Sequence, residues 1–370
     1  MDKIIQALVL DNYQLNIITS SGIKGIFDVK PYIKGEYFEE LLDIKYFNSV
    51  NPYNYCVRWA NEQDISSDTI IFDLQNKTNK IYMKTINYLF IGGGNMAKAI
   101  IQGMNNSSNT NDSFHSTAEI SEININTKHN IYVVDKNEHT HAELQKLSCT
   151  VFNNIENTKD ILQYIDCIVL AIKPQDSLNV MQELSSILHQ NKAKYDLLVI
   201  SIMAGISIKT ITNYLNYACV RCMPNTPLLV NMGASALVGF AISAQHQKIA
   251  NDMFASSGIT SWLDDEEKLH TVTALSGGAP AYVFYILKAM QDFATEMGLE
   301  QDIARKLISQ TFGGAAQMAL NMDKDLIDMQ KAVMSKGGTT EQAINGFEEN
   351  KLDEIIKSSL TKAYKRSTEL

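Results

Sequence analysis

The chain has 370 residues, 45% of them hydrophobic and 20% charged, and carries a formal net charge of −9. That length exceeds one ordinary core, so two or three domains are expected; the acidic balance and the scatter of Lys and Arg argue against a nucleic-acid surface or a membrane anchor. No apolar run approaches the roughly 20 residues that span a bilayer, and MDKIIQALVLDNYQL lacks the cleavage site of a signal peptide, so a cytoplasmic protein is expected.

Residues 1–80 alternate short apolar runs with turn residues: IIQALVL, LNIIT, GIFDV, YCVRWA and TIIFDL. The pattern predicts a small α+β domain, mostly antiparallel sheet with one helical piece near EYFEELLDI. Arg58-Trp59 invites a binding reading; a tryptophan packed in a small core is the simpler one. LQNKTNK at 74–80 reads as a polar linker.

Over 84–262 strands alternate with helical stretches. INYLFIG, NIYVVD, DCIVLAI and LLVISI are nearly continuously apolar, as strands of a parallel sheet covered on both faces should be. Residues 105–130, rich in Asn, Ser and Thr, read as a surface insertion. Over 263–370 the Ala- and Met-rich sequence keeps helical spacing, as in AYVFYILKAMQDFATEMG, and predicts an all-helical domain. The five cysteines, at 56, 149, 167, 219 and 222, are scattered and odd in number, which suggests reduced thiols. Cys219 and Cys222 form C-x-x-C without a second ligand pair, so no metal is expected.

The strand INYLFI runs into Gly92-Gly93-Gly94-Asn95-Met96-Ala97 and a helical KAIIQGM. This G-x-G-x-x-A pattern at a strand-to-helix turn fits a dinucleotide site of Rossmann type. Gly92 permits the tight turn, Gly94 lets backbone approach a pyrophosphate, and Ala97 lets the helix pack close to the strand. NIYVVD ends in Asp135, placed to grip the adenosine ribose, although the polar insertion stretches the usual spacing of about 20 residues. Asp135 beside a 2′-phosphate favours NADH, while Lys136 offers that phosphate a cation. Both NADP(H) and NAD(H) stay open.

Six motifs then occur in order: FIGGGNMAKAI, DCIVLAIKPQD (166–176), VISIMAGIS (199–207), RCMPNTPLLVNMGASAL (221–237), ALSGGAPAYVF (274–284) and VMSKGGTTEQAI (333–344). Together they resemble the pyrroline-5-carboxylate reductases over residues 84–370. The resemblance implies a Rossmann-type parallel sheet followed by a helical dimerisation domain, a homodimer or larger homo-oligomer, and NAD(P)H-dependent reduction of a cyclic imino acid to L-proline. It implies that Asn95, Met96, Ala171, Lys173, Pro174, Ala204 and Gly205 line the cofactor, with Asn157 near its adenosine half. Asn225, in the proline-bounded MPNTP loop, is either a ligand contact for substrate and cofactor or a loop tether.

The same resemblance assigns Ser335, Gly337, Gly338 and Thr339 to the substrate carboxylate, and Thr340, with Ser335, to the catalytic role at the imine nitrogen. From the residues alone, SKGGTTEQ is a helix N-terminus with Thr340 or its neighbour as cap. Asp323 is a weaker candidate for stabilising developing positive charge. Two departures stand out: SGGAPAY at 276–282, where the family has SGSGPAY, and Lys336 in place of a proline. A β-hydroxyacid-dehydrogenase-like reductase with Lys288 as its catalytic lysine is one alternative, and a non-catalytic nicotinamide-cofactor sensor is another. The first 80 residues resemble a small bacterial domain of unknown function.

Overall fold

A computed structural model describes residues 2–76, 83–107, 126–191 and 196–369. The chain divides into two compact units near Lys84.

The first unit holds two three-stranded antiparallel sheets rather than one. β1 (Ile4–Leu10), β2 (Gln14–Thr19) and β3 (Lys24–Asp28) form a meander, and β4 (Asn51–Tyr53), β5 (Cys56–Arg58) and β6 (Asp64–Ser66) form another. EYFEELL is a 3-10 turn, Glu36–Leu42, leading into the short α1 (Ile44–Phe47). TIIFDL, expected as a strand, lies instead in α2 (Ser67–Asn76). The reason is local: the Ser66 hydroxyl accepts the Thr69 N–H as an N-cap. Ile70 and Leu74 then share one face, and Leu74 packs where a side chain on Gly25 would otherwise stand. Part of the expected linker is thus helix, and its remainder, 77–80, lies outside the described residues. Trp59 is buried and donates its indole N–H to the Phe47 carbonyl at 2.9 Å, as a core residue does.

The second unit is built on an eight-stranded sheet in the order β14-β13-β12-β11-β10-β7-β8-β9. Its elements follow the chain: β7 (Met83–Ile91), α3 (Asn95–Ser107), β8 (Asn126–Val134), α4 (Glu138–Lys146), β9 (Thr150–Phe152), β10 (Cys167–Leu170), α5 (Ser177–Gln190), β11 (Leu198–Ser201), α6 (Ile208–Leu215), β12 (Ala218–Met223), β13 (Gly233–Phe240), α7 (Ala244–Ala255) and β14 (Gly258–Trp262). The expected insertion is shorter than 105–130, since α3 runs to Ser107 and β8 starts at Asn126; 108–125 lie outside the described residues.

Both faces of the sheet are covered. In β10, Cys167 and Val169 join the core beneath α3 and α7, while Ile168 and Leu170 join the core beneath α5 and α6. Every residue of β10 and β11 is buried, which is why their sequences are apolar without alternation. The helices supply matching stripes: Ala97, Ile100, Ile101 and Met104 on α3, and Ile208, Ile211 and Leu215 on α6. Ser207 caps α6 through the Thr210 N–H, and Asn216 closes it in a left-handed conformation. Strands β7, β10, β11 and β12 are parallel, and β13 runs against β12. The order reverses between β7 and β10, the place where such sheets bind ligands at their carboxyl ends.

Beyond the sheet come α8 (Lys268–Val272), a π-turn (Thr273–Gly277), α9 (Ala279–Glu296), α10 (Gln301–Asn321), α11 (Leu326–Ala332), α12 (Thr339–Glu349) and α13 (Leu352–Thr368). The helices α9 and α10 pack on each other, and α13 returns to α8 and the π-turn. From Ala279 to the end, only Ala304 and Ser367 are buried among the described residues. Phe284 is 67% exposed, Tyr285 80% and Met297 68%. An apolar hairpin this bare is a surface made to be covered.

Candidate active site

The glycine turn follows β7 at the point of reversal. Gly92 has φ +104, a conformation that side chains rarely adopt, and a Cβ there would lie 2.5 Å from the Ala171 carbonyl oxygen. The end of β10 is therefore in contact with the turn, and the Ala171 N–H donates to the Ile91 carbonyl at 2.9 Å. Gly93 is enclosed too, by Leu144 and the Asp135 carboxylate. Gly94 differs from both: no atom lies within 4 Å of the place its Cβ would take. The first helical bond of α3 runs from Lys98 N–H to the Gly94 carbonyl at 3.0 Å. The N–H groups of Met96 and Ala97, just before it, thus have no acceptor within the helix, the usual state of a helix start.

Asp135 stands just past β8. Its Oδ2 accepts the Gly93 N–H at 2.8 Å and its Oδ1 accepts the Asn137 N–H at 2.8 Å. Lys136 beside it is exposed. Lys173 and Pro174 follow β10, with Lys173 extended and exposed at the start of a short 3-10 turn. Ala204 and Gly205, the latter at φ +76, follow β11 and are half-buried. Parallel strands thus carry Ala171, Lys173, Pro174, Ala204 and Gly205 to the same sheet edge as the glycine turn. Asn157 follows the end of β9, exposed in the 3-10 segment Ile155–Tyr164, where its N–H is held by the Asn154 side chain.

Asn225 is 8% exposed, and both ends of its amide are engaged. Its Oδ1 accepts the Ala234 N–H at 2.8 Å, while Nδ2 reaches the Ser276 hydroxyl at 3.2 Å. That arrangement ties the MPNTP loop to β13 and to the π-turn. A second tie was not legible: Glu266 Oε1 accepts from Arg221, which is 7% exposed, at 2.7 Å and from the Ile208 N–H at 2.8 Å. Nothing in the run DDEEK distinguishes the carboxylate that turns inward.

The Ser335–Thr340 loop opens α12, and its cap differs from expectation. The N-cap residue is Gly338, not a threonine, and no side chain caps the helix. A Cβ on Gly338 would meet the Ser335 hydroxyl, with the Ser335 carbonyl 2.9 Å away, so a threonine does not fit there. Thr339 and Thr340 instead begin the helix. Glu341, three residues after the cap, accepts the Gly337 N–H at 2.6 Å, a variation on the capping box that the spacing of Gly338 and Glu341 signals in the sequence. The first bond back to the cap comes from Gln342, at 3.2 Å, which leaves the N–H groups of Thr339 and Thr340 at an uncapped helix end. Lys336 and Thr340 are exposed. Asp323 lies in the exposed connection after α10, with no hydrogen bond to this loop among the described residues.

Two rival readings lose their geometry. Lys288 is 63% exposed at its side chain and paired along α9 with Asp292 at 2.5 Å. Cys219 and Cys222 lie three apart on β12 and so point to opposite faces of the sheet, one into each core. Burial pushes the Cys219 thiol up to about 12.

A family model described as pyrroline-5-carboxylate reductase dimerisation matches residues 266–370, and one described as NADP oxidoreductase, coenzyme F420-dependent, matches residues 87–205. The chain is 38% identical over 219 residues to the pyrroline-5-carboxylate reductase of Pseudomonas aeruginosa, covering 58% of this chain and 78% of the relative. It is 33% identical over 296 residues to that of Pasteurella multocida, covering 78% of this chain and 98% of the relative. The solved structure of a pyrroline-5-carboxylate reductase from Coxiella burnetii superposes with a TM-score of 0.65 at 31% identity, covering 77% of this chain and 98% of that one.

Proposed function

The chain belongs to the pyrroline-5-carboxylate reductase family, and we infer from that premise that it reduces 1-pyrroline-5-carboxylate to L-proline with a reduced nicotinamide nucleotide. The observation that carries the reading is Gly94: it is open to a ligand at a helix start, at the reversal point of the sheet, with Asp135 fixed beside it. The residues fit the nucleotide. The turn at Gly92–Gly94 and the start of α3 suit a pyrophosphate, Asp135 suits the ribose hydroxyls, and the small residues Ala171, Ala204 and Gly205 leave room for a flat ring.

When bound, the reduced nicotinamide supplies a hydride to the carbon of the C=N bond. The chain's own part is to hold the imine and manage its nitrogen. The uncapped start of α12 supports a carboxylate-binding role for the Thr339 and Thr340 N–H groups, with the Ser335 hydroxyl beside them. In this reading the Thr340 hydroxyl bonds the ring nitrogen as its charge changes. Asn225 acts as a positioning residue through its ties to Ala234 and Ser276. Positioning and oriented donors do most of the work, and no strongly shifted acid or base is required.

The enzyme is a homo-oligomer, in keeping with its dimerisation region and the bare α9–α10 hairpin; our finer proposal is a dimer as the smallest unit. No helix among the described residues is long and apolar enough to cross a membrane. A cytoplasmic location is the companion proposal, supported by five cysteines that are all free thiols. The decisive assay adds pyrroline-5-carboxylate and follows oxidation of NADH and NADPH. Turnover with a hydroxy acid or keto acid, and none with the imine, would overturn the reading.

A further inference from the structure

We propose that Asp135 makes this reductase select NADH over NADPH. The inference rests on the nucleotide reading above and adds which nucleotide is taken. The Asp135 carboxylate is held from both sides by backbone, through Gly93 and Asn137. It cannot swing aside without breaking two hydrogen bonds. Each carboxylate oxygen keeps a second lone pair, so acceptors remain for the hydroxyls of an adenosine ribose. The turn is closed onto it as well: a Cβ on Gly93 would lie 3.0 Å from Asp135 Oδ2 and 2.6 Å from Leu144 Cδ1.

A 2′-phosphate at that corner meets a fixed negative charge, and the positive charge to offset it is poorly supplied. Doubly wound folds that accept the phosphate place an arginine nearby. No arginine lies between Arg58 and Arg221 in this sequence. Lys98, on α3, is paired with Glu143 on α4. His141 turns its Nε2 to the backbone carbonyl of Asp135 itself, at 2.7 Å. Lys136 is the neighbouring cation, exposed and on a flexible stem, without the planar fork that grips a phosphate. The matched description of residues 87–205 names NADP; the proposal is that in this chain Asp135 turns the choice to the nucleotide without the phosphate.

The test is a binding titration on the full chain by reduced-nicotinamide fluorescence, followed by displacement of bound NADH with AMP and with adenosine 2′,5′-bisphosphate. NADH should bind at least about tenfold more tightly than NADPH, since like charges brought together cost several kcal/mol. AMP should displace NADH more effectively than the bisphosphate. Asp135→Asn should shrink the NADH preference by at least about fivefold, mainly through tighter NADPH binding. Equal or tighter binding of NADPH by the wild type overturns the inference, as does a folded Asp135→Asn protein with the wild-type ratio. If Asp135→Asn does not fold, the displacement pair on the wild type decides alone. Binding of neither nucleotide would overturn the cofactor reading itself, and this inference with it.

Discussion

Substituting Gly94 by valine separates a glycine needed by a ligand from one needed by the fold. No heavy atom lies within 4 Å of the Cβ position at Gly94, and its backbone is outside the left-handed region. A side chain there meets only solvent in the free protein, so the stability change should stay within about 1 kcal/mol. In the proposed nucleotide site the same side chain would occupy the approach of the pyrophosphate, and binding should weaken at least about 100-fold, equivalent to roughly 2.7 kcal/mol. Gly92→Ala is the contrast. It forces a left-handed conformation at about 1–2 kcal/mol and drives a Cβ against the Ala171 carbonyl, displacing the residue whose N–H makes the strand bond to the Ile91 carbonyl, worth about 1 kcal/mol. A loss near 3 kcal/mol should lower the melting temperature by roughly 6–12 °C in a unit of this size. Thermal unfolding and fluorescence titration, run on both variants, read the two effects independently. A folded Gly94→Val protein that still binds nucleotide normally, or one as unstable as Gly92→Ala, would refute this division of roles.

In the carboxylate loop, Thr340→Ala should lower kcat by roughly 30- to 1000-fold, the loss of about 2–4 kcal/mol at the transition state; Lys336→Pro should change KM by less than about tenfold, as befits an exposed charge. A silent Thr340→Ala with an inactive Lys336→Pro would reverse these roles and make the lysine the working cation. Glu266→Ala leaves Arg221 buried without its partner and should reduce stability by about 3–5 kcal/mol in denaturant unfolding; a change below about 0.5 kcal/mol, the range of ordinary surface substitutions, would show that the pair is dispensable. Light scattering should find at least a dimer, and a monomer that turns over at the full rate would contradict the proposed assembly.

The parts of the fold set by short-range rules were open to reading in the sequence. Four buried strands announced themselves as apolar runs, and the glycine turn announced itself by its position between strand and helix. The misreadings arose where local chemistry outvoted pattern. TIIFDL has strand composition, yet the Ser66 cap and the Ile70–Leu74 face made it a helix. The loop at 335–340 carries two threonines that look like caps, but the crowding at Gly338 moved them inside the helix. Contacts between distant segments, such as Arg221 with Glu266 or Asn225 with Ser276, leave no periodic trace and exist only in the folded chain. Asp135 lies between these cases: its place at a strand end was legible, its double backbone clamp was not.

The bare helical hairpin also bears on how the enzyme is made. All eight strands of the sheet, and the helices that cover it, have been synthesised once Trp262 is added. That part closes its two cores almost entirely with residues already present; Leu269 and Ala274 are among the few later side chains buried at all. The last hundred or so residues emerge afterwards and find little in their own chain to cover them. Domains fold as units in the order of their synthesis, so a finished sheet waits on a tail that is completed by collision with a second copy. On the proposed dimer, output would follow the number of chains more steeply than in proportion wherever chains are scarce, because pairing is governed by mass action. A cell making few copies would hold folded but unpaired subunits, and clustering of nascent chains on one message would relieve that shortage.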